Sequence, residues 1–596
     1  MPYRVAHSRG QLARVSHGID AMSSVMTAPA AATAATTNAP AVSDDALALQ
    51  RLYHWEATAP NRVVLTQPLG GGALRDYTWG QLMDETRRMA AHLRSLGYPA
   101  GSRIAILSKN CAHWLMCDFA IWMAGHVSVP LYPTLAAGTI RQILDHSEAR
   151  LLFVGKLDGW DGMRAGVPES LPCIAMPLSP PTDYTRWEDI VAATEPLRGQ
   201  PVRDGNELAT IMYTSGTTGN PKGVMHSFAT FAWSISHALK RVPLRGDGRA
   251  LSYLPLAHVA ERTLVEHGLL ATGIHVYFAE SLDTFLADLQ RARPTALFSV
   301  PRLWVKFQQG VHSKMPADKL ARLLKIPVVR RIVAKKVRAG LGLDHCELAA
   351  GGAAPMPPAL LRWYESIGLP IIEVYGMTEN CGVSHATLPG VQRPGTVGRA
   401  YEGVQSRLDP ITGEIQMTSP GVMLGYYKEP ELTREAFTDD GWLHTGDKGQ
   451  LDAEGNLRIT GRVKDLFKTS KGKYVSPAHI EDKLVMNGAV EACVVTGASL
   501  GQPLGLVMLN AEAAKRASER DGRAAMEVSL AAHLDAINAR LDPHEQLDCL
   551  VVVKDAWTVD NGFITPTFKV KRNRIEEVYG PDFERWSGAH QRVIWQ

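Results

Sequence analysis

The sequence predicts an α/β protein: a large N-terminal domain of parallel-sheet α/β subdomains, followed by a smaller α+β C-terminal domain. Three observations predict it. From about Asp44 onward, short β-rich runs alternate with helix-favouring runs, the pattern of strands joined by crossover helices. The chain has 596 residues, too many for one ordinary core. Near Gly461 the texture changes to a separate mixture of short strands and helices, so the domains are expected to span 44–463 and 464–596.

Residues 1–43 stand apart. From Met26 to Val42 the chain is almost wholly Ala, Thr, Pro and Asn without periodicity, a composition of disorder. Arg4, Arg9 and Arg14 give this segment the look of a transit peptide, but no apolar stretch follows, so secretion is not expected. A start codon placed too early accounts for it equally well, and it is given no function. Beyond it, Arg103–Leu107 reads as a strand, 111–124 as an apolar helix, 126–131 as a strand, 136–146 as a helix and 150–154 as a strand. The runs 251–254, His275–Phe278 and 295–300 are further short strands, each followed by helix-favouring residues. Such alternation implies parallel sheets covered by helices, with ligand loops at the carboxyl ends of the strands.

Composition excludes several classes. Hydrophobic residues make up 45% and charged residues 21%, the balance of a globular protein. Lys+Arg number 63 against 60 Asp+Glu, so no global field draws nucleic acid. Cys111, Cys117, Cys173, Cys346, Cys381, Cys493 and Cys549 are odd in number and form no C-x-x-C pair, which fits a reducing cytoplasm better than a disulfide framework or zinc site. The longest apolar run, 111–129, carries His113, Asp118 and His126. It therefore reads as a buried helix, not a membrane span.

The most informative segment is 214–223, TSGTTGNPKG, which follows the strand candidate 207–213. Four hydroxyls (Thr214, Ser215, Thr217, Thr218), three glycines (Gly216, Gly219, Gly223) and Lys222 crowd ten residues. Glycine lets backbone N–H groups converge on an anion, hydroxyls add donors, and lysine supplies a point charge for polyphosphate. No Ser or Thr follows the lysine, so this is not a Walker loop.

The segment YTSGTTGNPKGV resembles the signature loop of the adenylate-forming superfamily, which includes acyl-CoA synthetases, firefly luciferase and peptide-synthetase adenylation domains. LPLAH (254–258), GGAAP (351–355), YGMTE (375–379), HTGD (444–447), GRVKD (461–465) and TPTFKVKR (565–572) follow in the superfamily's order, so the resemblance covers roughly residues 50 to 580. It implies an ATP-dependent ligase that joins a carboxylic acid to AMP and passes the acyl group to coenzyme A, with a C-terminal domain that moves. Adenylation installs a leaving group that a carboxylate lacks, after which a thiol can attack the carbonyl. Bringing two anions together requires charge neutralisation and positioning.

The resemblance distributes those tasks. Mg²⁺ is implied on Glu379 with Thr214, Thr378 beside the phosphates, and Lys222 on the polyphosphate. Tyr375, with Gly376 and Met377 after it, packs against adenine, and Gly351, Gly352 and Ala353 form the opposite wall. Asp447 accepts the ribose hydroxyls and Arg462 is the second ribose contact. Lys569 bridges carboxylate and α-phosphate, and here the sequence reads Thr-Phe-Lys where the superfamily commonly has Ser-Gly-Lys. Lys468, in preference to Lys471, and Gly472, all in FKTSKGKYVSP, form the surface that docks for thioester formation and favour coenzyme A over a carrier protein. Lys569 and that surface are expected on different faces of the small domain, used in turn by rotation about Lys464 and Asp465. His258 lies in LPLAHVAER, which with VPRLWVKFQQG (300–310) is similar to long-chain fatty acyl-CoA synthetases. Ala260 stands where relatives often carry an aromatic residue, so a bulky ring-bearing acid stays in view beside a medium- to long-chain fatty acid. A catalytically dead nucleotide-binding protein is the non-enzyme alternative.

Finally, Lys319 to Arg338 holds eight Lys/Arg and no acidic residue, with Leu320, Leu323, Leu324, Val328, Ile332 and Val333 at helical spacing. It reads as a basic amphipathic helix interrupted at Pro327. It packs its apolar face on its own domain or rests it on anionic lipid, as a peripheral contact at the inner face of the membrane.

Overall fold

The computed structural model describes residues 42–215, 221–388, 390–391, 393–558, 561–565 and 569–596. The N-terminal segment 1–43 therefore lies, except for Val42 and Ser43, outside the described residues. The α/β alternation is present. Arg103–Leu107, Val127–Leu131 and Leu151–Val154 are strands, with helices Ala112–Met123 and Ala137–Ser147 between them. They are neighbours in an eight-stranded sheet, where Arg103–Leu107 pairs in parallel with both of the others. Every residue of helix Ala112–Met123 is buried, which is why its sequence lacks a polar face. Among the described residues no helix is long and apolar enough to cross a membrane, and all seven cysteines are free.

A five-stranded sheet begins with parallel Ala296–Ser299, Leu348–Gly352 and Ile371–Tyr375 and ends with two short antiparallel strands. A four-stranded sheet joins Arg249–Ser252 and His275–Phe278 to the hairpin Val63–Gly70 and Ala73–Thr78. Two features were not foreseen. One is an antiparallel sheet of Gln405–Leu408, Glu414–Thr418, Leu443–Leu451 and Leu457–Arg462. The other is that Leu208–Ser215 does not run into a long loop. It turns back as strand Pro221–Ser227, with Thr214 opposite Lys222, so the ends of the phosphate segment are held in a hairpin. The strand expected at 251–254 lies two residues earlier, because the Tyr253 N–H leaves the ladder and donates to Glu261.

The C-terminal residues form their own sheet of Val490–Thr496, Leu504–Leu509, Leu550–Val552 and Val593–Trp595. Apolar side chains of helix Arg520–Asn538 fill one core on this sheet, and those of helix Arg572–Tyr579 belong to a second.

Asp118, the residue that argued against a membrane span, pairs with Arg262, whose Nε lies 3.0 Å from Glu266. All three side chains are inaccessible to solvent. Two carboxyl groups face one guanidinium here. Burial drives the Glu266 pKa well up, against the Arg262 charge and with the Asp118 charge adding to the rise. The cluster locks helix Ala112–Met123 to the π-helical turn Arg262–His267 just beyond His258.

Candidate active site

Four segments converge on one cleft. The strand Ile371–Tyr375 ends at Gly376, where an added Cβ would lie 2.3 Å from the Gly382 backbone, so only glycine permits this turn. The turn swings Thr378 and Glu379 into a short 3-10 helix. His226 fixes it from beneath: its Nε2 lies 2.7 Å from the Thr378 carbonyl, and burial lowers its pKa to about 4. The neutral ring therefore donates through Nε2. Glu379 accepts a 2.9 Å hydrogen bond from Tyr426 Oη.

Asp447 lies on strand Leu443–Leu451, not in a turn. One oxygen accepts from Tyr375 Oη at 2.7 Å and the other from Arg462 Nε at 3.1 Å. Register makes this possible, since Asp447 and Arg462 are direct partners across the antiparallel pair. Gly351 and Gly352 end strand Leu348–Gly352, and Ala353 follows with φ +65°, a left-handed conformation costly for alanine.

Lys569 closes the cleft from the C-terminal side. Its loop is cinched at both ends: the Thr565 N–H donates to the Lys569 carbonyl at 2.8 Å, and the Lys569 N–H donates to Thr565 Oγ1 at 3.0 Å. The side chain is reachable by solvent yet walled by protein. Enclosure lowers its pKa and Arg462 lowers it further, while Asp447 and Glu379 oppose them. Its charge also reaches His258, whose pKa burial takes down to about 4 with Lys569 adding to the effect. His258 Nδ1 accepts the Ala260 N–H at 3.2 Å, so the neutral ring carries its proton on Nε2.

An apolar cavity opens beside His258. Its walls include Leu239, Ala260, Leu264, Phe298 and Val383, and Gly376 and Ala353 connect it to the cleft. The loop bearing His258 is braced by Glu261, the acidic residue of LPLAHVAER, and by Asn110, which lies in none of the motifs. Glu261 accepts from Ser252 Oγ at 2.8 Å and from the Tyr253 N–H at 3.0 Å. Asn110 Nδ2 donates to the Leu254 carbonyl at 2.6 Å, and its Oδ1 accepts the Leu256 N–H. Burial raises the Glu261 pKa to about 8, against the opposing donors Ser252 and Tyr253.

The structure thus gathers Glu379, Tyr375, Gly376, Asp447, Arg462, Lys569 and His258. Thr214 and Lys222 face each other across the hairpin, and Lys222 Nζ lies 5.5 Å from the centre of the Tyr426 ring. Ser215 ends its strand, while Gly216, Thr217, Thr218 and Gly219 lie outside the described residues. Lys468 and Gly472 are elsewhere, on an exposed hairpin where Lys468 Nζ stacks over Tyr474. Among the described residues no hydrogen bond or ion pair joins that hairpin to Lys569, Glu379 or Asp447. His226, Tyr426 and Asn110 were missed, because each acts on a residue distant in sequence, and Glu261, though inside LPLAHVAER, was given no role.

A family profile described as AMP-binding enzyme matches residues 52–427. The chain is 32% identical over 580 residues to the long-chain-fatty-acid–CoA ligase FadD15 of Mycobacterium bovis, covering 89% of this chain and 96% of that protein. It is 28% identical over 576 residues to the peroxisomal long chain acyl-CoA synthetase 6 of Arabidopsis thaliana, covering 85% and 81%. Among solved structures, it resembles the anthranilate CoA ligase AuaEII in complex with anthranoyl-AMP, with a TM-score of 0.73 and 22% identity over 91% of this chain and 98% of that one. The A domain of carboxylic acid reductase from Segniliparus rugosus gives a TM-score of 0.75 at 22% identity, covering 91% and 94%. These structural likenesses concern the fold.

Proposed function

The chain belongs to the AMP-binding enzyme family, and from that membership we propose that it is an AMP-forming long-chain fatty acid–CoA ligase. It converts a fatty acid, ATP and coenzyme A into acyl-CoA, AMP and pyrophosphate through an acyl-adenylate. The observation that carries the site assignment is the convergence of the Lys569 ammonium with Glu379, Asp447 and His258 at the mouth of an apolar cavity.

In the first half-reaction a carboxylate oxygen bonds to the α-phosphorus and pyrophosphate leaves. Lys569 stands between the two anions, and its ammonium stabilises the charge that they concentrate. Asp447, already oriented by Tyr375 and Arg462, accepts the ribose hydroxyls. His258 Nε2–H is a neutral donor at the cavity mouth, suited to orienting the carboxylate but not to removing a proton. Gly351, Gly352 and Ala353 lie along adenine. Glu379 fits Mg²⁺: it is a single carboxylate near the phosphate hairpin, and this ion takes one or two carboxylates plus phosphate oxygens. Bound there with Thr214, Mg²⁺ would neutralise phosphate charge. In the second half-reaction the coenzyme A thiol attacks the carbonyl and AMP leaves, with Lys468 and Gly472 brought to the site by rotation at Lys464 and Asp465. The division into domains 44–463 and 464–596, a cytoplasmic location and a peripheral membrane contact belong to the same proposal.

Lys569→Ala tests the assignment. Losing a charge aimed at the transition state costs about 3–4 kcal/mol, on the order of 100- to 1000-fold in adenylation. Thioester formation from supplied acyl-adenylate should persist. Equal loss of both half-reactions would refute the role.

A further inference from the structure

The basic segment of the sequence folds as two helices, Ala317–Leu324 and Pro327–Gly340, broken where Pro327 begins the second. Its apolar residues do not share one fate. Leu320 is buried, and Leu323, Leu324, Val329, Val333 and Val337 are at least half-buried against the domain. Ile326, Val328 and Ile332 are 51%, 72% and 64% exposed. Packing on the parent domain thus explains one face of these helices and leaves three large apolar side chains without cover.

Helical geometry shows what surrounds them. At about 100° per residue, Val328, Arg331, Ile332, Lys335 and Lys336 fall on one stripe of helix Pro327–Gly340. All five are exposed, as is Lys325 beside Ile326. Among the described residues, none of Lys319, Lys325, Arg330, Arg331, Lys335 and Lys336 makes an ion pair. Elsewhere on the molecule arginines commonly find carboxylates, as Arg407 does with Asp440 and Arg245 with Asp247. A face that alternates branched apolar side chains with unpaired cations matches one kind of surface, in which a negative headgroup layer lies over hydrocarbon.

We propose that Ile326 and the outward stripe Val328–Arg331–Ile332–Lys335–Lys336 dock the enzyme on an anionic lipid bilayer. Ile326, Val328 and Ile332 enter the headgroup–acyl boundary, and the cations sit at headgroup level. The proposal rests on the fatty-acid reading for its purpose, since an acid that partitions into membranes is best met there. Phe298 and Leu348, in the cavity wall, belong to the two strands adjoining the core on which these helices pack.

The test is sedimentation of the full chain with two vesicle types: phosphatidylcholine alone, and phosphatidylcholine with phosphatidylserine. Wild type should pellet with the anionic vesicles and progressively less as salt rises. Arg331→Gln with Lys335→Gln and Lys336→Gln should weaken binding about 100-fold. Val328→Ser with Ile332→Ser, which keeps every charge, should weaken it by at least about tenfold. All of these positions are exposed, so the variants should melt like wild type. Equal pelleting of wild type with both vesicles, or unchanged binding of both variants, would overturn the proposal. Turnover of a water-soluble medium-chain acid without vesicles, measured on the same preparations, reports separately on the ligase reading and should be the same in all three proteins.

Discussion

Glu261 keeps its proton at neutral pH because it is buried beside an apolar cavity, with a pKa raised from 4.5 to about 8. Its neighbours Ser252, Tyr253 and Asn110 all direct donors at one oxygen, which closes the neck of the loop that carries His258. Its pH dependence follows from proton counting. Between the unfolded pKa near 4.5 and the folded value near 8, the folded state binds more protons than the unfolded chain. Stability contributed by this group is therefore full below the unfolded pKa and declines as pH rises toward 8, by at most about 1.4 kcal/mol per pH unit. Glu261→Gln removes that titration. The melting temperature of wild type should fall relative to the variant between about pH 6 and pH 8. Parallel curves would show that Glu261 is ionised in the folded protein. His258 behaves oppositely, with a pKa of about 4, and stays neutral throughout this range.

Two elements hold the small C-terminal sheet in the position that aims Lys569 at the cleft. Arg302, on helix Pro301–Lys314, donates to both the carbonyl and the carboxylate of Glu491 at 2.9 Å. Lys306 adds a 3.6 Å ion pair to the same carboxylate. Arg572 binds the Glu481 carboxylate at 2.6 Å and the Val495 carbonyl, and it lies 3.9 Å from Asp465. The first group clasps the small sheet to the rest; the second ties it to the proposed hinge. Glu491→Gln should therefore disfavour the adenylating arrangement, slowing adenylation up to about fivefold relative to thioester formation. Lys464→Pro restricts φ at the hinge and should do the reverse, impairing thioester formation more than adenylation. Rate ratios unchanged in both variants, measured for the separate half-reactions, would count against a clasp and hinge at these positions.

At the scale of the whole molecule, much of the α/β core was legible because local pattern and tertiary role agree. Arg103–Leu107 and His275–Phe278 are short apolar strands, and the structure places each where its sequence does. The antiparallel sheet around Asp447 was not legible: its hairpins alternate too weakly to stand out, and the pairing of Glu414–Thr418 with Leu443–Leu451 joins strands far apart in sequence. The ordered motifs pointed to the residues that meet in the cleft. They could not show that Tyr375 donates to Asp447, or that His226 supports Thr378, because hydrogen bonds between distant residues leave no periodic trace. Nor could spacing tell which apolar residues of 319–338 turn inward; only packing distinguishes Leu320 from Val328. The central claim is that this assembly makes acyl-CoA through an adenylate. It is tested most directly by following AMP and acyl-CoA together across a series of carboxylic acids, with and without coenzyme A. The account predicts equimolar AMP and acyl-CoA with medium- to long-chain fatty acids, and acid-dependent ATP–pyrophosphate exchange when coenzyme A is withheld. Absence of exchange with every acid tried, or AMP release without a matching thioester when coenzyme A is present, would contradict it.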